Sequence, residues 1–226
     1  MIGTCHVLFT TEGAREGDGH TAAGLNLGAI PAGLAVCLRV GFRSKLETEV
    51  KDGQLIIGSR GSWLDKLGDA LATGFSAERI RYNLMVKRLT GLEVSGAAAV
   101  KVASIETDRL ALKLSGVGDV NIESLDAERL EGDLPGAGKI SVASQVAEQT
   151  VTVSGAGSYD APKLESQKAK AALGGLGSAI VCAVEELDAT IRGLGSVSYY
   201  GTPSVRQDIS GAGSVKGLGM PCAFTG

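Results

Sequence analysis

Apolar and polar residues alternate over short stretches in the second half of this 226-residue chain. The pattern is clear in Leu110-Ala-Leu-Lys-Leu114, in Val151-Thr-Val153 and in Leu187-Asp-Ala-Thr-Ile191. A period of two is typical of β-strands, whose successive side chains point to opposite faces. Because no helical run of ten or more residues fits between these stretches, the pattern predicts a mainly β fold.

A short glycine-containing tract follows each of these strands. The first glycines of the tracts lie at positions 96, 116, 136, 155, 175, 193 and 211, in steps of 18 to 20 residues. A second alternating stretch follows the tract, as in Ile140-Ser-Val142. A strand pair recurring at this interval predicts a parallel β-helix, or solenoid, of about seven coils of 18–20 residues.

Two columns of inward-facing residues follow from this repeat. One column lies two residues before the first glycine and the other lies four residues after it. The first contains Leu114, Leu134, Val153, Leu173, Ile191 and Ile209, and the second contains Val120, Ile140, Tyr159, Ala179, Val197 and Val215.

The tract glycines are predicted to be structural corner residues. A coil must turn sharply at each corner, and we expect glycine there because it adopts backbone conformations that are closed to residues with a Cβ. The predicted corner residues are Gly96, Gly116, Gly118, Gly136, Gly138, Gly155, Gly157, Gly175, Gly177, Gly193, Gly195, Gly211 and Gly213.

The region before the repeats reads as strands and one short helix. Residues 35–57 contain alternating stretches and a Lys51-Asp-Gly53 turn signal, and Ile80–Val86 reads as a further strand. Apolar residues at helical spacing, among them Trp63, predict a helix near 62–72 that caps the solenoid and packs Trp63 in the core. We therefore divide the chain into a divergent segment (1–33), N-terminal strands and cap (34–90), the solenoid (91–217) and a tail (218–226).

Composition narrows the classes of partner. The chain has 33 glycines and a formal net charge of −3, without a basic patch, which argues against nucleic acid as the main partner. Four cysteines, Cys5, Cys37, Cys182 and Cys222, show no C-x-x-C spacing; we favour free thiols and leave their disulfide state open.

The sequence resembles the putative auto-transporter adhesin, head GIN domain family over about residues 36–216. The resemblance is carried by Leu46–Ile57, by Leu92-Glu-Val-Ser-Gly96 and by the glycine tracts, and most specifically by Tyr199–Val205 followed by Ile209–Lys216. It implies a right-handed, single-stranded parallel β-helix in a mostly bacterial, envelope-associated family. It implies no catalytic or binding residues.

The family resemblance implies a periplasmic, extracellular or cell-envelope location, although residues 1–33 show no evident signal peptide. Residues 21–38 carry no charge, but glycines and Pro31 interrupt them. They are a weak candidate for a membrane span or anchor, and we favour an irregular lead-in to a strand.

Reactive groups are sparse, and the sequence predicts no catalytic residue, cofactor or metal. His6 and His20 both lie before the repeats, and the tract Leu134–Ile140 lacks the first glycine and the Ser/Thr of a phosphate-binding loop. Six acids are interpreted as a cluster on two neighbouring coils; a cation such as calcium is one alternative, and a solvated outer face is favoured. They are Asp119, Glu123, Asp126, Glu128, Glu131 and Asp133.

Three functions remain open. The first hypothesis is a non-enzymatic, adhesin-like module that presents its surface to a polysaccharide or a surface protein. The second is a structural, homo-oligomer-forming solenoid whose coil ends stack on other copies. The third is a polysaccharide lyase or hydrolase.

Overall fold

The computed structural model describes residues 6–10, 34–40, 46–51, 54–59 and 80–86 as strands and residues 88–220 and 222 in full. The predicted helix near 62–72, with Trp63, lies outside the described residues. The strands are β1 (His6–Thr10), β2 (Leu34–Val40), β3 (Leu46–Lys51), β4 (Gln54–Ser59), β5 (Ile80–Val86), β6 (Gly91–Ser95), β7 (Ala97–Val102), β8 (Ile105–Leu114), β9 (Val117–Leu134), β10 (Lys139–Val153), β11 (Ser158–Leu173), β12 (Ser178–Ile191), β13 (Ser196–Tyr200), β14 (Ser204–Ile209) and β15 (Ser214–Gly217).

The repeats form a parallel β-solenoid, as predicted. Strand β10 pairs in parallel with β9 on one side and with β11 on the other, one coil earlier and one coil later. Val153 stands in register with both Leu134 and Leu173, so the predicted column before the glycine tract is confirmed there. The handedness of the solenoid stays a prediction.

The coil that contains β9 bends at three places. In β9 the alternation of buried and exposed residues breaks at 123–124 and again at 128–129, and the third bend is the glycine tract. We name the resulting sides by their residues in this coil: face A (129–134, before the glycine tract), face B (117–122, after it) and face C (125–127).

The interior of the solenoid is filled by the inward columns. Leu114, Leu134, Val153, Leu173 and Ile191 are each no more than 1% exposed. Burial of such a side chain contributes about 1.5–3 kcal/mol, so the stacked columns supply the main stabilisation of the coils.

Antiparallel strands extend the solenoid at its N-terminal end. Strand β1 pairs with β6 and with β4, which forms a hairpin with β3, and together they continue face A. Strands β2 and β5 continue face B next to β7. The strands predicted within 35–57 and at Ile80–Val86 are therefore confirmed, whereas β1 was not predicted. These strands cover the edges that the first coil would otherwise expose.

The C-terminal end of the described chain is more open. Among the described strands, β14 pairs only with β12 and β15 only with β13. Ile209 continues the buried column of Ile191, yet it is 40% exposed, and Val205 is 37% exposed. The last predicted member of this column therefore lies at an uncovered end.

A disulfide ties the tail to the fifth glycine-marked coil. Cys182, which is fully buried at the end of face B, is bonded to Cys222. Leu218 N–H donates a hydrogen bond of 2.8 Å to the carbonyl of Tyr199, so the tail runs back along the last coils. Our expectation of free thiols is wrong for this pair, because pairing depends on where the tail folds, which the cysteine spacing does not show.

Within the described residues, no helix is long and apolar enough to cross a bilayer.

Candidate binding surface

Hydrogen bonds run along the glycine corner from coil to coil. The N–H of Ala137 donates to the carbonyl of Gly116, and the N–H of Leu176 donates to the carbonyl of Gly155, both at 3.0 Å. Neighbouring corners therefore approach as closely as paired strands do.

This close approach explains the glycines in a different way from the one we predicted. Of the thirteen tract glycines, only Gly96 has a positive φ, at 85°. At Gly175 a Cβ would instead lie within 3.0 Å of the carbonyl oxygens of Gly155 and Ser154. The corner thus excludes side chains because they would strike the preceding coil, and the special backbone conformation that we expected applies to Gly96 alone.

The middle residues of the glycine tracts form an exposed apolar edge, which we call the corner ridge. Each contributes one uncharged side chain per coil, and Val117, Leu176 and Leu194 are 60–66% exposed. The corner ridge consists of Ala97, Val117, Ala137, Ala156, Leu176, Leu194 and Ala212.

Face B carries a row of hydroxyl groups beside this ridge. Ser158, Ser178, Ser196 and Ser214 stand in register on four successive coils. We call these four residues the serine row. Their side chains point outward because the alternating neighbours, such as Tyr159 and Val197, are buried. Adjacent strands are about 4.8 Å apart, so the row spans roughly 14 Å.

Face A is charged, and several of its charges are paired along the solenoid axis. Arg109 approaches Glu131 at 2.6 Å, and Arg129 approaches Glu148 at 3.0 Å. The carboxylate of Glu131 raises the pKa of the exposed Arg109 guanidinium through a hydrogen bond. Exposed pairs of this kind are screened by solvent and add little to stability, so they organise the face more than they stabilise it.

The predicted acidic cluster does not converge on one site. All six acids lie in β9, on a single coil, and our placement on two neighbouring coils is wrong. Glu123 pairs with Lys101 at 2.6 Å, and Asp126 accepts a hydrogen bond from Gln145 at 3.1 Å. Because the coil bends twice within β9, the acids are distributed around it. Among the described residues, no three metal-ligating side chains are grouped to hold an ion.

The tract that resembled a phosphate loop is an ordinary corner of the solenoid. Gly136 and Gly138 lie between β9 and β10, and Lys139 points outward to Asp160, with 2.6 Å between Nζ and Oδ2. The lysine is therefore engaged by the next coil. The side chains of His6 and His20 lie outside the described residues.

A polar network that the sequence did not reveal lies inside the solenoid. The hydroxyl of Tyr159 donates to Gln149 at 3.1 Å, and the amide of Gln149 donates to Ser166 at 2.7 Å. Both the amide of Gln149 and the hydroxyl of Ser166 also donate to the carbonyl of Cys182. All three side chains are at most 1% exposed, and burial raises the pKa of Tyr159 well above its ordinary value. Because the network is fully internal, we infer that it stabilises the fold.

Similarity to known proteins identifies the family. The sequence profile of the putative auto-transporter adhesin, head GIN domain family matches residues 41–203, which is most of the chain. The chain belongs to this family. No curated protein sequence matches it.

Solved structures share the fold of this head GIN domain. A putative adhesin from Bacteroides fragilis superposes with a TM-score of 0.67 at 24% identity and covers 76% of both chains. A putative lipid binding protein from Parabacteroides distasonis gives a TM-score of 0.59 at 22% identity over 76% of this chain and 78% of its own. A putative adhesin from Parabacteroides merdae gives 0.57 at 20% identity, with coverages of 76% and 78%. At these identities the likeness establishes the fold.

The head GIN domain therefore offers a ligand two different kinds of outer surface. Face A presents axially paired charges, whereas the later coils of face B combine the serine row, the corner ridge and the half-buried Tyr200. The second surface is the better candidate for binding, because its hydroxyls are outward-facing and no charge interrupts the serine row.

Proposed function

We propose that this head GIN domain is a non-enzymatic, envelope-associated binding module that holds a polysaccharide against face B. The observation that carries the proposal is the in-register serine row with the apolar corner ridge at its side. Each serine hydroxyl provides one donor and two acceptor positions, which suits the many hydroxyl groups of a sugar chain.

The geometry favours an extended ligand. A single serine hydroxyl is a weak recognition element, but four of them repeated along the solenoid axis can contact successive units of one polymer. Leu176 and Leu194 are 66% and 60% exposed and supply apolar contact beside the row. Tyr200 lies at the far edge of face B, where its ring can pack against the apolar side of a sugar.

Binding at the outer surface fits the packed interior better than an internal ligand does. The inward residues from Leu110 to Ile191 fill the described coils, with Leu110, Leu130 and Ile140 fully buried. The name of the Parabacteroides distasonis relative raises lipid as a ligand, and in this chain a lipid would also have to bind outside the coils. Lipid binding is therefore one outcome of the test below.

An envelope or extracellular location agrees with the family and with the cysteine chemistry. The family is that of an auto-transporter adhesin, and the disulfide between Cys182 and Cys222 persists best in an oxidising compartment. The relatives named above are described as putative adhesins or as a putative lipid binding protein. Polysaccharide cleavage receives no support from the acids of β9, because they are distributed over three faces of the coil and Glu123 and Glu131 are paired with Lys101 and Arg109.

The proposal is tested with purified chain on an array of neutral and acidic polysaccharides. Ser178→Arg and Ser196→Arg place bulky charges in the serine row and should weaken binding at least about tenfold. Thr152→Arg is the matched control, because Thr152 is an exposed, outward residue of face A. Two results would contradict polysaccharide binding by face B. One is an equal loss of affinity in all three variants, and the other is binding of the chain to anionic lipid vesicles but to none of the polysaccharides.

A further inference from the structure

We infer that β14, the open edge of face A, pairs with β14 of a second copy of this chain about a two-fold axis through Gln207. This contact lies at the C-terminal end of the solenoid and is independent of the proposed polysaccharide site.

The backbone of β14 has one paired side and one open side. The N–H of Ser210 donates to the carbonyl of Ile191 in β12 at 2.9 Å. Because the N–H groups of alternate residues point to the same side of a strand, those of Arg206 and Asp208 also face β12. The N–H and C=O groups of Val205, Gln207 and Ile209 therefore point away from β12, toward the end of the molecule.

The inward side chains at this edge are left incompletely covered. Val205 and Ile209 stand in register with Leu187 and Ile191 of the preceding coil. The earlier pair is at most 1% exposed, whereas Val205 and Ile209 are 37% and 40% exposed. The column thus continues to the last coil, but its final apolar residues lack the neighbour that every earlier coil has.

The sequence of this edge is complementary to itself in antiparallel orientation. The segment reads Ser-Val-Arg-Gln-Asp-Ile-Ser from 204 to 210. If two copies pair with Gln207 opposite Gln207, then Val205 faces Ile209, Ser204 faces Ser210, and Arg206 faces Asp208 of the other copy. The last three matches occur twice and the Gln207 pair lies on the axis, as the symmetry of an isologous interface requires.

The directions of the backbone N–H and C=O groups agree with this register. Val205, Gln207 and Ile209 carry the outward-pointing backbone groups, so the pairs they form would exchange about six hydrogen bonds. Arg206 and Asp208 would then form the intervening pairs, in which the two Cα atoms approach most closely, at about 4.5 Å. The opposite charges thus meet at the positions where cross-strand side chains interact best.

The two ends of the solenoid are not equivalent, which favours this like-with-like arrangement. At the N-terminal end, β1, β4 and β3 already continue face A as antiparallel strands. The β14 edge is the place where face A stops among the described strands, and another copy of the same edge supplies both matching apolar residues and matching charges.

The test measures the association of the full chain by sedimentation equilibrium over a wide concentration range. A concentration-dependent rise from 23.0 kDa to twice that mass is expected. Arg206→Asp or Asp208→Arg alone places like charges opposite each other and should weaken self-association at least about tenfold. Lys163→Asp, a charge reversal at an exposed residue of β11, should leave it unchanged.

Charge exchange distinguishes this register from other modes of association. The double variant Arg206→Asp/Asp208→Arg restores opposite charges and should recover the dimer, and an equimolar mixture of the two single variants should form heterodimers. Gln207→Pro should abolish association without unfolding the chain, because its N–H faces away from β12. A chain that stays monomeric at several hundred micromolar, or a dimer that is insensitive to these changes, would overturn the inference.

Discussion

The hydroxyl of Tyr159 donates a hydrogen bond of 3.1 Å to Oε1 of Gln149 inside the solenoid. Tyr159 is fully buried and Gln149 is 1% exposed, so neither group can turn to water. Gln149 also donates to Ser166 and to the carbonyl of Cys182, which places one amide at the junction of three coils.

We expect Tyr159→Phe to destabilise the chain by about 1–3 kcal/mol, because it leaves the Gln149 oxygen buried without its donor. Urea unfolding followed by circular dichroism measures the change. Tyr200→Phe removes a hydroxyl from a half-buried residue of face B and should change the free energy of unfolding by less than about 0.5 kcal/mol. Equal effects of the two substitutions would show that the internal hydrogen bond is not the cause.

Alkaline pH should weaken the fold through the same residue. Burial raises the pKa of Tyr159 above the ordinary value of 10.0, so the folded chain keeps this proton where the unfolded chain loses it. The stabilisation is therefore complete below pH 10 and falls by about 1.4 kcal/mol for each pH unit above it. The difference in unfolding free energy between the wild type and Tyr159→Phe should therefore shrink between pH 9 and 11, and parallel pH profiles would contradict this.

Two adjacent glycines should respond very differently to alanine. A Cβ at Gly175 would lie within 3.0 Å of backbone atoms of the preceding coil, whereas a Cβ at Gly174 would meet nothing closer than Cα of Ser154 at 4.0 Å. We expect Gly175→Ala to cost of the order of 3 kcal/mol and Gly174→Ala to be nearly neutral. The melting temperatures of the two variants, measured under the same conditions, test this difference.

The same steric reason applies to Gly157, where a Cβ would lie 2.8 Å from the carbonyl oxygen of Gly138. Gly157→Val should therefore lower the melting temperature by more than a typical surface substitution does. A melting temperature equal to that of Gly174→Ala would contradict the close packing of the corners.

Loss of the disulfide should destabilise the last coils. The bond closes a 40-residue separation, for which the chain-entropy estimate is about 4 kcal/mol. Cys222→Ser keeps the buried Cys182 in place and should lower the free energy of unfolding by about 2–4 kcal/mol. A reductant should lower the stability of the wild type to that of Cys222→Ser and leave the variant unaffected; thiol titration showing Cys182 and Cys222 free in the folded wild type would contradict the bond.

The coils were predictable because their signals are local. The alternation around Leu114 and Val153 and the spacing of the glycine tracts specify strands, corners and inward columns from residues close together in sequence. Tyr159 was accordingly placed inside the solenoid, where it is fully buried.

The remaining features depend on residues that meet only after folding. Gln149 is polar, and its internal partners Ser166 and Cys182 come from the next two coils, so its burial has no local signal beyond its place in the alternation. The pairing of β1 with β4 and β6 joins segments that are distant in sequence. The spacing of the glycines predicted where the corners lie. Their steric role follows only from the distance between neighbouring corners, which the sequence does not show.

The way in which the coils are joined also determines how this molecule bears mechanical load. Backbone hydrogen bonds between coils run along the solenoid axis, so a pull along that axis opens them a few at a time and peels off one coil after another. Each 20-residue coil, once peeled off, would span at most about 66–72 Å. The bond between Cys182 and Cys222 bypasses the last coils, so a force applied beyond Cys222 is transmitted directly to Cys182 and leaves residues 183–221 unstretched.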